Sequence, residues 1–132
     1  MSNEIKAPAE ITYAHVIGLV YAFIAGYSDG EFSQSETAVI AQKVGEWMGD
    51  DATRSDVNML LTEVAEWYDS LSEDGLKNTV VNSLPILKEK FNEDALKAII
   101  VDLIAIVEAD GTVTKSEASN VSFIAESLGF SL

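Results

Sequence analysis

The chain contains no cysteine, two prolines and a single histidine among its 132 residues. Without cysteine it has no disulfide, no thiolate zinc site and no thiol nucleophile. One histidine cannot supply a paired-histidine metal site. The sequence also lacks a Gly-rich phosphate loop, a Gly-x-Ser-x-Gly elbow and a His-Glu-x-x-His motif. These absences disfavour a hydrolase and predict that the protein is not an enzyme.

Basic residues are scarce as well, at 8 against 22 acidic residues, which gives a net charge of −14. The acidic residues are concentrated between residues 27 and 76, a segment with 12 Asp and Glu residues and only two basic residues, Lys43 and Arg54. Such a field repels phosphate backbones and anionic lipid, so the sequence predicts no nucleic-acid binding. It favours cations and protein partners with a basic surface.

Long apolar runs are missing too. Residues 1–10 are polar and hold no signal-peptide core, so we expect a flexible N-terminal tail. The most apolar stretch, residues 11–25, is shorter than the roughly 20 residues that span a bilayer. The sequence therefore predicts a cytoplasmic protein with no membrane insertion. The chain length and a hydrophobic content of 48% predict one domain over residues 1–132.

Apolar residues recur at helical spacing almost throughout, which predicts an all-α bundle of about six to seven helices. The predicted helices are residues 11–26, 34 to about 49, a third after Ser55, a fourth from Asp74, a fifth capped by Asn92 and a sixth after Thr114. Pro85 lies inside the fourth apolar stripe, so a kink or a break into two short helices is expected there.

The two halves of the chain are related by an internal repeat. A shift of 81 residues places Asp29-Gly30 on Asp110-Gly111 and Ser35-Glu36 on Ser116-Glu117. We call the segments 29–36 and 110–117 the acid turns. A half-chain repeat predicts two helical hairpins about a pseudo-two-fold axis, with the first and fifth helices as neighbours at the centre.

The acid turns have two interpretations. In the structural one, Ser33 and Thr114 are N-caps, and the Glu three residues later completes a capping box. In the functional one, carboxylates bind a divalent cation. The candidate ligands are Asp29, Glu36, Asp110 and Glu117, with Glu108 and Asp102 as further oxygen donors near the second turn.

Calcium is the first expectation for the metal, with magnesium and zinc as alternatives, because the acid turns match the second half of an EF-hand loop. The first half of that loop does not match. Its leading ligand position would be occupied by Ala25 or Ile106, so a true EF-hand pair is rejected.

The two halves share one pattern: an apolar helix, an Asp-Gly turn, an apolar residue, Ser or Thr, and then Glu. This pattern, repeated near both ends of an acidic helical chain, resembles the TerB-like (tellurite resistance protein B) family. The resemblance implies an all-helical bundle and an acidic surface associated with divalent cations. It also implies a bacterial stress-response role through protein partners at the inner face of the membrane. It points to Asp29, Glu36, Asp110 and Glu117. The first turn departs from the family pattern at residues 25–28, Ala-Gly-Tyr-Ser.

One alternative function remains open: the chain could be an interaction module that uses no metal. The sequence does not predict its oligomeric state. His15 is a weak candidate for catalysis, because the sequence identifies no partner that would orient its ring.

Overall fold

The computed structural model describes residues 11–26, 34–49, 51–108 and 115–130. Within those ranges the chain is helical and contains no strand. The helices are α1 (Tyr13–Gly26), α2 (Gln34–Met48), α3 (Arg54–Ser70), α4 (Glu73–Lys90), α5 (Glu93–Glu108) and α6 (Lys115–Ser127). The predicted all-α bundle is confirmed. The predicted tail and the tips of both acid turns lie outside the described residues.

Helix α1 is the centre of the bundle. Its side chains are apolar nearly all round, and Ile17, Leu19, Val20 and Ile24 are fully buried. A helix with no polar face must be surrounded by other elements. Helix α1 indeed contacts α2, α3, α4, α5 and α6. The neighbouring positions of α1 and α5 confirm the arrangement predicted from the repeat.

Helix α5 is amphipathic and turns one broad face into the core. Ile99, Leu103 and Ile106 are fully buried, while Val101 on the opposite face is exposed. Burying an aliphatic side chain of this size stabilises the fold by about 1.5–3 kcal/mol. The two most apolar helices therefore form the interior, and the other four cover them.

Helix α3 begins with a reciprocal capping box. The Thr53 hydroxyl accepts a hydrogen bond from the Asp56 N–H at 3.1 Å, and the Asp56 carboxylate accepts one from the Thr53 N–H at 3.0 Å. These bonds satisfy two backbone donors that the first helical turn leaves unpaired. Asp56 therefore stabilises the start of this helix.

Of the kink or break expected at Pro85, the break is wrong, since α4 runs without interruption from Glu73 to Lys90. Proline removes the N–H that would bond to the Val81 carbonyl, four residues earlier. Both Val81 and Pro85 lie on the exposed side of the helix. Water can therefore satisfy that carbonyl, and the helix continues.

The predicted cap at Asn92 is confirmed, and a glycine follows the last helix. The Asn92 side-chain oxygen accepts a hydrogen bond from the Ala95 N–H at 2.9 Å at the start of α5. After α6, Gly129 adopts a positive φ of 96°, and the Phe130 N–H donates to the Ala125 carbonyl at 2.9 Å. This is the Schellman pattern that glycine favours.

Across the described ranges, every helix is too short or too polar to cross a lipid bilayer.

Candidate functional site

The described residues include part of the second acid turn. Glu108 is the last residue of α5 and is exposed, whereas Glu117 lies in the first turn of α6 and is only 5% exposed. Asp29 and Asp110 lie outside the described residues. Glu36 belongs to α2, but its side chain is outside them too. Among the described side chains, no group of three or more His, Asp or Glu could hold a metal ion.

Glu117 differs from an ordinary surface carboxylate because it is buried. Glu is almost never buried unless its charge is compensated. The first turn of a helix offers compensation, since its N–H groups carry the positive end of the helix dipole. The second acid turn is therefore flanked by an exposed carboxylate, Glu108, and a buried one, Glu117.

The rejection of an EF-hand pair agrees with the helix bounds. Ala25 lies in α1 and Ile106 in α5, and both side chains are fully buried. An EF-hand uses these positions as the start of its ligand loop. In this chain they belong to the core.

A buried carboxylate, Asp102 of α5, joins three helices. Its Oδ2 accepts a hydrogen bond from the Tyr21 hydroxyl at 2.6 Å and another from the Trp47 Nε1–H at 3.1 Å. Trp47 Nε1 is also 3.0 Å from the Tyr21 hydroxyl oxygen, so its N–H is shared between the two acceptors. Lys43 Nζ lies 3.7 Å from Asp102 Oδ1. We call these four residues the Asp102 cluster.

The Asp102 cluster fixes the protonation state of Tyr21. Burial raises the pKa of the Tyr21 phenol well above its usual value, and the hydrogen bond to the Asp102 carboxylate raises it further. The hydroxyl therefore remains a donor. Two hydrogen bonds and the Lys43 ammonium compensate Asp102 for leaving water.

The sequence-based role of Asp102 needs correction. It was expected to supply an oxygen near the second acid turn, but both of its oxygens already have partners inside the bundle. Asp102 therefore belongs to the core, and Glu108, at the end of the same helix, remains the α5 candidate for the turn.

Tyr21 and Asp102 are separated by 81 residues, which is the offset of the internal repeat. Equivalent positions meet only close to the axis that relates two halves. The hydrogen bond between these two side chains thus places the pseudo-two-fold axis between α1 and α5.

Comparison with known families adds an independent finding. Residues 25–132 match the family model described as Tellurite resistance protein TerB. The chain belongs to the TerB family. The match begins in the last turn of α1 and includes α2 to α6 and both acid turns. Neither a curated protein nor a solved structure matches the chain significantly.

A chain of aromatic contacts runs from the surface of this TerB domain to the Asp102 cluster. The Trp47 and Phe91 rings meet edge to face with centroids 5.4 Å apart, and Phe91 meets Tyr13 in the same way at 5.7 Å. Lys90 Nζ lies 5.5 Å from the centroid of the half-exposed Tyr13 ring. Trp47 and Phe91 are both half-buried.

His15 has the orienting partner that the sequence did not identify. Its Nδ1 accepts hydrogen bonds from the Thr12 N–H at 3.0 Å and the Thr12 hydroxyl at 2.8 Å. A backbone N–H only donates, so the ring proton is on Nε2, which donates to Glu63 Oε1 at 3.2 Å.

Sequence reasoning missed Glu63 because it lies on another helix, 48 residues away. The Thr12 bond did have a signal in the sequence. Thr12 precedes His15 by three residues, which is the capping-box spacing with histidine in place of glutamate.

Proposed function

We propose that this TerB domain is a binding protein without catalytic activity. It holds a divalent cation, calcium first, at its acid turns and docks to a protein partner with a basic surface. Asp29, Glu36, Asp110 and Glu117 supply the oxygens, and Glu108 adds one at the second turn. We further propose that it acts in the cytoplasm of a bacterium, in a tellurite-type stress response at the inner face of the membrane.

The observation that carries the proposal is the placement of Glu117. Glu117 is a buried carboxylate in the first turn of α6 and Glu108 is an exposed one at the end of α5, so each helix that adjoins the second acid turn carries a carboxylate, the ligand type that calcium prefers. The net charge of −14 adds a long-range attraction for cations and basic surfaces.

Calcium titration followed by amide NMR tests the cation claim. The amides of Glu108 and Glu117 should shift together and saturate, and Glu117→Gln should weaken calcium binding at least about ten-fold because the charge is lost. The matched control is Glu126→Gln, an exposed position on the same helix, which should leave the affinity unchanged. Absence of a localised shift at about millimolar calcium, magnesium and zinc would remove the metal claim.

A second candidate function is an interaction module in which the acid turns only cap helices. The Thr53–Asp56 pair favours it, because this chain already uses an acidic residue three positions after an N-cap in that way. Under this alternative, Glu36→Gln and Glu117→Gln should cost little stability, since glutamine also completes a capping box. The affinity for the partner should then fall as the salt concentration rises, and it should not depend on calcium.

A further inference from the structure

An apolar groove opens between α1, α2 and α3. It encloses ≈ 120 Å³ and is lined by Gly18 and Ala22 of α1, Ile40 of α2, and Leu61, Ala65 and Tyr68 of α3. We call it the α1–α3 groove.

Small residues on α1 create the groove. Gly18 and Ala22 are one turn apart and bring no bulky side chain to this side of the helix. A Cβ added at Gly18 would lie 3.2 Å from Val64 Cγ2, so α1 and α3 are already close at that level. The free space therefore lies beside this contact, towards α2.

The groove reaches the surface along α3. Leu61 and Tyr68 are half-buried and Ala65 is exposed, whereas Ala22 and Ile40 at the floor are buried. A ligand can thus enter from solvent and lose its contact with water at the bottom.

The size of the groove limits the ligand. Sites for cofactors and drug-sized molecules enclose roughly 300–1,000 Å³, well above this volume. An apolar cavity of roughly 150 Å³ holds one benzene ring. The α1–α3 groove therefore fits a single leucine, isoleucine or methionine side chain.

Charge beside the groove indicates which kind of segment carries that side chain. Asp69 lies one helical turn after Ala65 on α3, Glu66 lies three residues before Asp69, and both are exposed. Neither is in an ion pair within the described part of the chain. An unpaired acidic edge attracts a basic segment and repels a second copy of this acidic chain.

We infer that the α1–α3 groove receives one apolar side chain of a basic protein segment, while Glu66 and Asp69 bind the cationic residues that flank it. The inference rests on the partner-binding half of the proposed function and is independent of the cation site. It assigns the docking surface to the side of the bundle where α3 borders the groove.

Two synthetic probes test the groove. One is a helical peptide of about 15 residues, built from alanine and lysine, with one central leucine; the other has alanine in its place. The leucine peptide should bind the wild-type chain about ten-fold more tightly, because one aliphatic side chain is buried. Benzene should shift the NMR signals of Ala22 and Ile40 selectively.

The variant Ala65→Leu fills the mouth of the groove at an exposed position where leucine is a good helix former. It should reduce the advantage of the leucine peptide to less than about two-fold. Ala98→Leu, the same change at an exposed site on α5, should leave that advantage intact. Glu66→Gln with Asp69→Asn should weaken both peptides equally and lower their salt dependence.

Binding of neither peptide, equal binding of both, or identical behaviour of Ala65→Leu and Ala98→Leu would overturn the inference. So would benzene shifts that avoid the groove. Its failure is distinguishable from failure of the cation claim, because the calcium titration uses neither peptide. If calcium shifts the amides of the second acid turn but the leucine peptide binds no better than the alanine peptide, only the groove inference fails. If the leucine peptide binds better but calcium shifts no amide, only the cation claim fails.

Discussion

At the scale of single residues, Asp102 is a buried carboxylate whose charge is compensated inside the bundle by two hydrogen bonds and by Lys43. Without the carboxylate, the Tyr21 hydroxyl would lose its acceptor, and the Trp47 N–H would keep only the Tyr21 oxygen. The cluster is therefore sensitive to the loss of this one side chain, in a way that an exposed carboxylate is not.

Asp102→Ala should lower the free energy of unfolding by about 3 kcal/mol, because it leaves the buried Tyr21 hydroxyl without its acceptor and Lys43 without its partner in the core. Asp102→Asn should restore part of that loss, since the amide oxygen can still accept from Tyr21. Glu89→Ala, at an exposed position on α4, should change stability by no more than about 0.5 kcal/mol. Urea unfolding measures all three, and equal values for Asp102→Ala and Glu89→Ala would contradict the prediction.

Tyr21 links stability to alkaline pH. Its folded-state pKa is raised by burial and by Asp102, while in the unfolded chain it ionises near its ordinary value of about 10. The folded state therefore keeps a proton that the unfolded state loses. Stability should fall above about pH 10, by up to about 1.4 kcal/mol per pH unit from this group.

Urea unfolding of the wild type and Tyr21→Phe at about pH 9 and pH 11 isolates this contribution, since phenylalanine does not ionise. The wild type should lose more stability between the two pH values than Tyr21→Phe does. Tyr13→Phe, at a half-exposed tyrosine, should behave as the wild type. An identical pH dependence in all three proteins would show that Tyr21 ionises normally in the folded state.

At the scale of helices, periodicity and caps predicted most of what is observed. Asn92 caps the start of α5 as expected, and the apolar stripes of α1 and α5 are the buried ones. The error at Pro85 has a local physical cause. Whether proline ends a helix depends on whether water reaches the carbonyl four residues earlier, and exposure is a property of the fold that the sequence does not reveal.

Pro85→Ala should stabilise the chain by about 1–2 kcal/mol, because alanine restores the missing N–H and removes the ring from an unbroken helix. The gain is smaller than the full helix penalty of proline, since alanine also makes the unfolded chain more flexible. Ile86→Ala, at the exposed neighbouring position, is the control and should change stability little. A loss of stability in Pro85→Ala would mean that the helix depends on its proline.

At the scale of the whole molecule, the repeat predicted that α1 and α5 are neighbours, but it did not predict the Asp102 cluster. An offset of 81 identifies equivalent residues, and only those beside the axis contact each other. The sequence does not show where the axis lies along the helices. Lys43 and Trp47 were also unpredictable as partners of Asp102, because they come from α2 and have no charged or indole counterparts in the other half.

The two halves therefore share a repeat, but the side chains that surround the Tyr21–Asp102 pair differ between them. The positions equivalent to Lys43 and Trp47 are Ile124 of α6 and Leu128, directly after it, both buried and apolar. A carboxylate on the α5 side of the axis meets two donors from α2, whereas one on the α1 side would meet an aliphatic surface.

Because of this asymmetry, we expect the carboxylate to be stable on α5 and not on α1, and swapping the two side chains tests this. The double variant Tyr21→Asp with Asp102→Tyr keeps the same two side chains at the axis but moves the carboxylate towards α6. It should lose about 3 kcal/mol or more of stability, because a buried charge keeps at most one hydrogen-bond donor. Exchange of another buried equivalent pair, Ile40→Val with Val121→Ile, should cost less than about 1.5 kcal/mol. If thermal and urea unfolding gave the two exchanges equal costs, Lys43 and Trp47 would not be what holds the carboxylate on the α5 side.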